Sequence, residues 1–306
     1  MTENRTQEKS GFIAIVGRPN VGKSSILNKL LGQKIAIVSS KPQTTRTRIM
    51  GVLTEGKTQL VFIDTPGIHK PRTELGKYMI RSVNESVSGV DACLMVTEAC
   101  AEVRETELQL IEKFKKIEIP VILAINKIDT VKEKSDLMVQ IAKYNQLFPF
   151  EAIVPVSAQT GNGLQDLKEE LKQLAQEGAH LFDEDTLTDQ TERVLAGEMI
   201  REKMLRLLDK EIPHGTAVVV ERMKSRDNGI LDIDATIYCE RETHKRIIIG
   251  KQGAMLKKIG TYARQDMENF FDCKVNVQMW VKVKEDWRNR EGLLRSFGYD
   301  KNAFED

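Results

Sequence analysis

Phe12-Ile13-Ala14-Ile15-Val16-Gly17-Arg18-Pro19-Asn20-Val21-Gly22-Lys23-Ser24 decides the fold. Its apolar half reads as a buried strand that passes directly into the pattern G-x-x-x-x-G-K-[ST]. From Ser24 to Leu31 apolar residues then recur at three- and four-residue intervals, as they do on a helix. Strand, glycine loop and helix form the context in which this pattern holds phosphate. Backbone N–H groups converge on the oxygens, and the helix N-terminus adds the positive end of its dipole. Lys23 is expected on the β- and γ-phosphates and the Ser24 hydroxyl on Mg²⁺, with Gly17, Arg18, Pro19, Asn20, Val21, Gly22 and Ser25 completing the cradle. The bland alternative, a Gly-rich turn that merely starts a helix, fits poorly behind such a strand.

Working outward, the apolar strand Gln59 to Ile63 ends in Asp64-Thr65-Pro66-Gly67. Asp64 is expected to hold Mg²⁺ through water and the Gly67 amide to meet the γ-phosphate, so that loss of this phosphate releases the loop. After the strand Val121 to Ile125 comes Asn126-Lys127-Ile128-Asp129. A carboxylate at Asp129 accepts both donors of guanine, N1–H and the exocyclic amine, whereas adenine presents an acceptor at N1 and is repelled. Ser157-Ala158, at the end of the strand Ala152 to Val156, supplies backbone N–H groups for the guanine O6. D-x-x-G alone is expected by chance in about every chain of this length, and N-K-x-D in about one in twenty-five. Four motifs in this order, each at the carboxyl end of a strand, are another matter, because open α/β sheets bind ligands at those ends.

The polar segment Ser39-Ser40-Lys41-Pro42-Gln43-Thr44-Thr45-Arg46 is too irregular for a strand and is read as a switch. Thr45 is taken ahead of Thr44 as the threonine that completes the Mg²⁺ coordination. Lys23, Thr45, Asp64, Gly67 and Ile68 are therefore the candidate catalytic positions. Where Ras-type enzymes carry a water-orienting glutamine, this chain has Ile68, which can neither donate nor accept a hydrogen bond. Slow unassisted hydrolysis follows. Asn20 is placed to lend its carbonyl to a K⁺ ion bridging the phosphates; the alternative is an asparagine that merely caps the loop.

At 306 residues the chain is long enough for two cores. Its strand–helix alternation from residue 11 to about 175 predicts a P-loop α/β domain over 1–178, a mostly parallel six-stranded sheet with helices on both faces. An acidic, aperiodic stretch over 179–190 is read as a linker. Residues 191–306 then run α-β-β-α-α-β, the order of an α+β module of the KH type II class, with a C-terminal helix. Hydrophobic content of 41% and charged content of 30% fit a globular chain, and no run of 18 apolar residues occurs. Cys93, Cys100, Cys239 and Cys273 lack metal-ligand spacing and suit a reducing cytoplasm.

Formal net charge is only +1, so any electrostatic footprint must be local. One is present: residues 241–264 carry Arg241, Lys245, Arg246, Lys251, Lys257, Lys258 and Arg264 against a single acidic residue, Glu242. Within it Gly250-Lys251-Gln252-Gly253 joins two helices. Paired glycines at such a junction permit close approach of single-stranded nucleic-acid backbone. Ile249, Gly250, Lys251, Gln252, Gly253, Lys245, Arg246, Lys257 and Lys258 are the candidate RNA contacts.

A domain with G-R-P-N-V-G-K-S, P-Q-T-T-R, D-T-P-G-I and N-K-I-D, joined to a module with I-I-G-K-Q-G, resembles the bacterial Era GTPases from about residue 11 to 295. The resemblance implies a GTPase using Mg²⁺ with GTP and GDP. It further implies binding to the 3′ end of small-subunit ribosomal RNA, a role in maturation of the small ribosomal subunit, and a link to cell-cycle progression. A monomer is implied as well, cytoplasmic with a peripheral membrane-associated fraction. The competing reading is a membrane-cycle signalling GTPase whose basic module binds anionic lipid, but the amphipathic anchor and lipidation motifs such a protein uses are absent from the sequence.

Overall fold

The computed structural model describes residues 7–67, 73–87 and 89–299. Among these the chain forms two compact units, one built from 7–36, 45–67 and 79–189, the other from 37–44, 73–78 and 190–299.

In the first unit the strands are β1 (Lys9–Gly17), β2 (Ile49–Glu55), β3 (Thr58–Asp64), β4 (Ala92–Glu98), β5 (Val121–Asn126), β6 (Ala152–Pro155) and β7 (Gln176–Glu177). Alternating with them are α1 (Lys23–Leu31), α2 (Glu74–Val87), of which 74–78 are counted with the second unit, α3 (Glu105–Ile117), α4 (Lys134–Leu147) and α5 (Leu164–Gln173). Sheet order is β2-β3-β1-β4-β5-β6. β1, β3, β4, β5 and β6 run parallel, and β2 is antiparallel to β3. β4 and β5 are buried at nearly every position, as strands covered on both faces must be. Phe114, Tyr144, Leu123 and Met95 sit in the core between sheet and helices.

The expected six strands are present, and a seventh, outside the sequence reading, joins them. β7 pairs antiparallel with Lys9 and Ser10 of β1. Nor is 179–190 a free linker. The Gln59 side chain accepts from the Leu181 and Phe182 amides and donates to the Phe182 carbonyl, Val52 N donates to Leu187 O, and Gly51 bridges Thr188. Backbone groups make most of these contacts, so neither acidity nor lack of periodicity betrays them.

The second unit contains α6 (Glu192–Leu207), β8 (Thr216–Ser225), β9 (Leu231–Cys239), α7 (Glu242–Ile249), α8 (Ala254–Phe271), β10 (Val275–Val283) and α9 (Glu291–Ser296). Its sheet order is β10-β9-β8, with β9 and β10 parallel and β8 antiparallel to β9. α6 and α8 cover one face over a core of Met199, Ile200, Met204, Ile233, Ile237, Ile259 and Met267. The segment 37–44 also belongs here, beyond the expected domain boundaries. Val38 N donates to Glu202 at 2.9 Å, and Lys41 reaches the carbonyl of Leu208 and the Asp209 carboxylate. Trp287 is fully buried and donates to Gly215 O at 3.0 Å, while Trp280 is largely exposed. No helix among the described residues is long and apolar enough to cross a membrane.

Candidate nucleotide and nucleic-acid sites

β1 delivers the chain into a loop of positive φ: Gly17 at +149°, Asn20 at +64° and Gly22 at +103°. At Gly22 a Cβ would stand 2.1 Å from Asn126 Nδ2, so only glycine both fits and adopts that backbone. Lys23, the first residue of α1, turns its ammonium back onto the carbonyls of Gly17 (3.1 Å) and Arg18 (3.0 Å). Its burial lowers the pKa to about 8 despite the favourable charge of Asp64.

Asp64, at the end of β3, is wholly buried, and this burial pushes its carboxyl up to about 6 against the pull of Lys23 and of its hydroxyl partners. Ser24 Oγ donates to Asp64 Oδ2 at 2.5 Å. Thr45 Oγ1 lies 2.9 Å from Ser24 Oγ and 3.5 Å from Asp64 Oδ2. Asp64 Oδ1 has no hydrogen-bond partner among the described residues. A buried carboxylate with an orphaned oxygen beside two hydroxyls is a hard-oxygen donor set that suits Mg²⁺. Lys23, correspondingly, is a buried cation that an anion would stabilise. Thr44 points elsewhere, its hydroxyl bonded to Lys41 O at 2.6 Å and near Ser39 Oγ at 2.9 Å. Thr65 donates to Ile15 O at 2.8 Å and fixes the end of β3 against β1; Pro66 is buried after it.

At the other end of the cradle Asn126 is a staple. Its Nδ2 donates to Val21 O at 2.8 Å, and its Oδ1 accepts from Ala158 N at 3.0 Å. Lys127 has φ +69°, starts the turn Ile128–Thr130 and pairs with Glu98 at 2.9 Å. The turn carries Asp129 at the surface, where Oδ1 accepts from Ser157 Oγ at 2.5 Å. Ser157 Oγ in turn accepts from Thr160 N at 3.1 Å. Phosphate loop, Asp64, Asn126, Asp129 and Ser157 thus converge, and Asn20 and Ser25 lie exposed and half-buried beside them. Ile68 falls outside the described residues.

In the second unit the Gly250–Gly253 loop connects α7 to α8. Gly250 has φ +74°, and a Cβ there would stand 2.8 Å from Met255 Cβ, so glycine lets the two helices meet closely. Gln252 is also left-handed, at φ +50°. Lys251 and Gln252 are exposed or nearly so, and Ile249 is half-buried against the core. Beyond the loop an open groove of about 520 Å³ runs between α8 and β10, lined by Gly253, Leu256, Lys257, Gly260, Arg264, Asn276 and Met279 among others. Lys258, exposed with its ammonium 6.0 Å from the centre of the Tyr262 ring, stands outside the groove, as do Lys245 and Arg246. Gly260 and Asn276 line the groove outside the sequence reading, which has Arg264 only as part of the basic stretch 241–264, although Gly253, Lys257, Gly260 and Arg264 recur at the three- and four-residue spacing of one helix face.

Two family models match the chain: 50S ribosome-binding GTPase over residues 12–127 and KH domain over residues 211–288. GTPase Era of Ruminiclostridium cellulolyticum is 49% identical over 294 residues, covering 96% of this chain and 98% of that protein. GTPase Era of Clostridioides difficile is 47% identical over 293 residues, with 95% and 99% covered. The chain belongs to the Era family of GTPases. Membership brings with it the activity, GTP hydrolysis, and the pairing of a P-loop α/β domain with a KH domain. Two Era structures match over 95% of this chain and 99% of theirs at 40% identity. One is a point variant of Aquifex aeolicus Era bound to GDP·AlF4⁻, with a TM-score of 0.91. The other is Era in complex with MgGDPNP and nucleotides 1506–1542 of 16S ribosomal RNA, with a TM-score of 0.90.

Proposed function

We propose that this GTPase is a GTP-controlled RNA-binding factor that grips the 3′ end of small-subunit ribosomal RNA and assists maturation of the small subunit. The observation that carries the reading is the groove beside the Gly250–Gly253 loop, with Lys257 and Arg264 at its rim, in a relative of a protein crystallised with that RNA segment. Two glycines let a backbone pass close, and the cations meet its phosphates.

In the first unit Lys23 and the loop amides hold the β- and γ-phosphates, and Asp129 and Ser157-Ala158 read guanine. Ser24, Thr45 and, through water, Asp64 hold Mg²⁺, which when bound neutralises charge on the phosphates. With Ile68 after Gly67, unassisted turnover is slow. Asn20 supplies the carbonyl for K⁺, and faster hydrolysis in potassium than in sodium buffer would support that role, whereas equal rates would count against it. Cell-cycle coupling and a membrane-associated fraction rest on the family resemblance alone.

The test is binding of the full chain to a single-stranded oligonucleotide of the 16S 3′ terminus, measured with and without a non-hydrolysable GTP analogue. Micromolar or tighter binding that Gly253→Asp lowers at least tenfold, with GTPase activity unchanged, supports the reading. Equal binding by wild type and Gly253→Asp, or binding to anionic vesicles but not to RNA, overturns it.

A further inference from the structure

Arg18 lies inside the phosphate loop, where a cation is readily taken for a phosphate ligand. Its side chain runs the other way. Arg18 Nε donates at 3.0 Å to Oε1 of Glu107, a residue of α3 with no exposed surface. The same Oε1 accepts from Thr97 Oγ1 at 2.7 Å, at the carboxyl end of β4, and Thr97 Oγ1 is 3.0 Å from Tyr144 Oη on α4. Glu107 Oε2 accepts from Arg104 N at 2.9 Å. Burial pushes the Tyr144 hydroxyl up to about 12, so it remains neutral. A buried carboxylate needs compensating charge, and the ion pair recorded for Glu107 is with Arg18. The Arg18 carbonyl, meanwhile, is one of the two acceptors of the Lys23 ammonium.

We infer that Glu107 is a positioning residue of the GTPase site. It holds Arg18 against α3, and through the backbone of Arg18 it sets where the Lys23 ammonium stands; Arg18 itself serves as the anchor point of the loop and not as a phosphate ligand. β4, α3 and α4 are thereby tied to the loop by one carboxylate. Arg18 Nη2 is buried without a partner among the described residues, and it is the Nε bond that ties the guanidinium to Glu107. The inference rests on the reading of residues 17–24 as the nucleotide cradle.

A double-mutant cycle tests it on the full chain. Affinity for fluorescent GDP and for a non-hydrolysable GTP analogue is measured for wild type, Glu107→Gln, Arg18→Met and the pair, beside melting temperature. As an anchor, each single substitution weakens nucleotide binding about tenfold, in the range found for groups that orient a ligand. The pair then weakens it by no more than the worse single. Leu110→Ala, a core change on the same helix, lowers the melting temperature without touching affinity. Multiplying losses in the cycle make Arg18 a direct phosphate ligand and overturn the inference. So does unchanged affinity in Glu107→Gln, or an affinity loss in Leu110→Ala equal to that of Glu107→Gln. Should Glu107→Gln fail to fold, Arg18→Met and Thr97→Val, which removes one of the carboxylate's donors, form the same cycle. If wild type itself binds neither nucleotide, it is the cradle that has been misread.

Discussion

The nucleotide cradle and the Gly250–Gly253 region are built on opposite plans. The cradle is assembled from buried polar groups that fix one another: Asn126 is 2% exposed and bonds both Val21 and Ala158, and Asp64 is 0% exposed beside Ser24 and Thr45. The Gly250–Gly253 region offers exposed side chains around an open groove. In the first, specificity comes from donors and acceptors that are costly to leave unpaired. In the second, the proposed RNA affinity would come from cations that stay hydrated until phosphate displaces their counterions, and it would then vary with salt.

Breaking the cradle gives the largest effect. Asp129→Asn places an amide donor against the two donors of guanine. GTP affinity should fall on the order of 10⁴-fold, while xanthosine triphosphate, which carries an acceptor in place of the exocyclic amine, should bind the variant better than GTP does; competition against labelled GDP measures both. At the groove the expected changes are graded. Lys257→Ala should weaken RNA binding severalfold irrespective of sequence and flatten the slope of log K against log salt by about 0.7. Lys258→Ala should do less, because Lys258 stands outside the groove; equal losses would move the RNA path across α8.

The smallest effect concerns the buried core of the first unit. Burial pushes the Cys93 thiol up from 9.0 to about 12. Between these values an unfolded chain sheds a proton that the folded chain keeps, so the contribution is intact below pH 9 and lost as pH rises towards 12. Cys93→Ala should therefore lose melting temperature less steeply than wild type as pH rises above 9. Exposed Cys100 should be alkylated in the native protein while Cys93 is spared.

The same contrast explains what is legible in the sequence. The phosphate loop, Asp64 and Asn126–Asp129 can be read because each motif is contiguous and sits at a strand end that its own apolar pattern announces. Thr45 lies 2.9 Å from Ser24 while the Thr44 hydroxyl is bonded to Lys41, a difference between two adjacent threonines that the sequence does not display. Glu107 is illegible: it lies far along the chain from Arg18, and nothing on an amphipathic helix distinguishes a buried glutamate from a solvated one. Arg264 is legible as a charge in the basic stretch, but its place beside Gly260 and Asn276 is hidden because the groove needs β10 beside α8, a pairing no local pattern encodes. The segment 37–44 reads as part of the first domain since it lies between α1 and β2, yet its partners are Glu202, Leu208 and Asp209.

β7 closes the first unit on itself. Its antiparallel pairing with Lys9 and Ser10 brings the stretch that follows α5 alongside the start of β1, before the chain runs on to its contacts with Gln59, Val52 and Gly51. A strand of two exposed residues is in this sense a clasp, which holds the first strand of the sheet from a point more than 160 residues further along the chain.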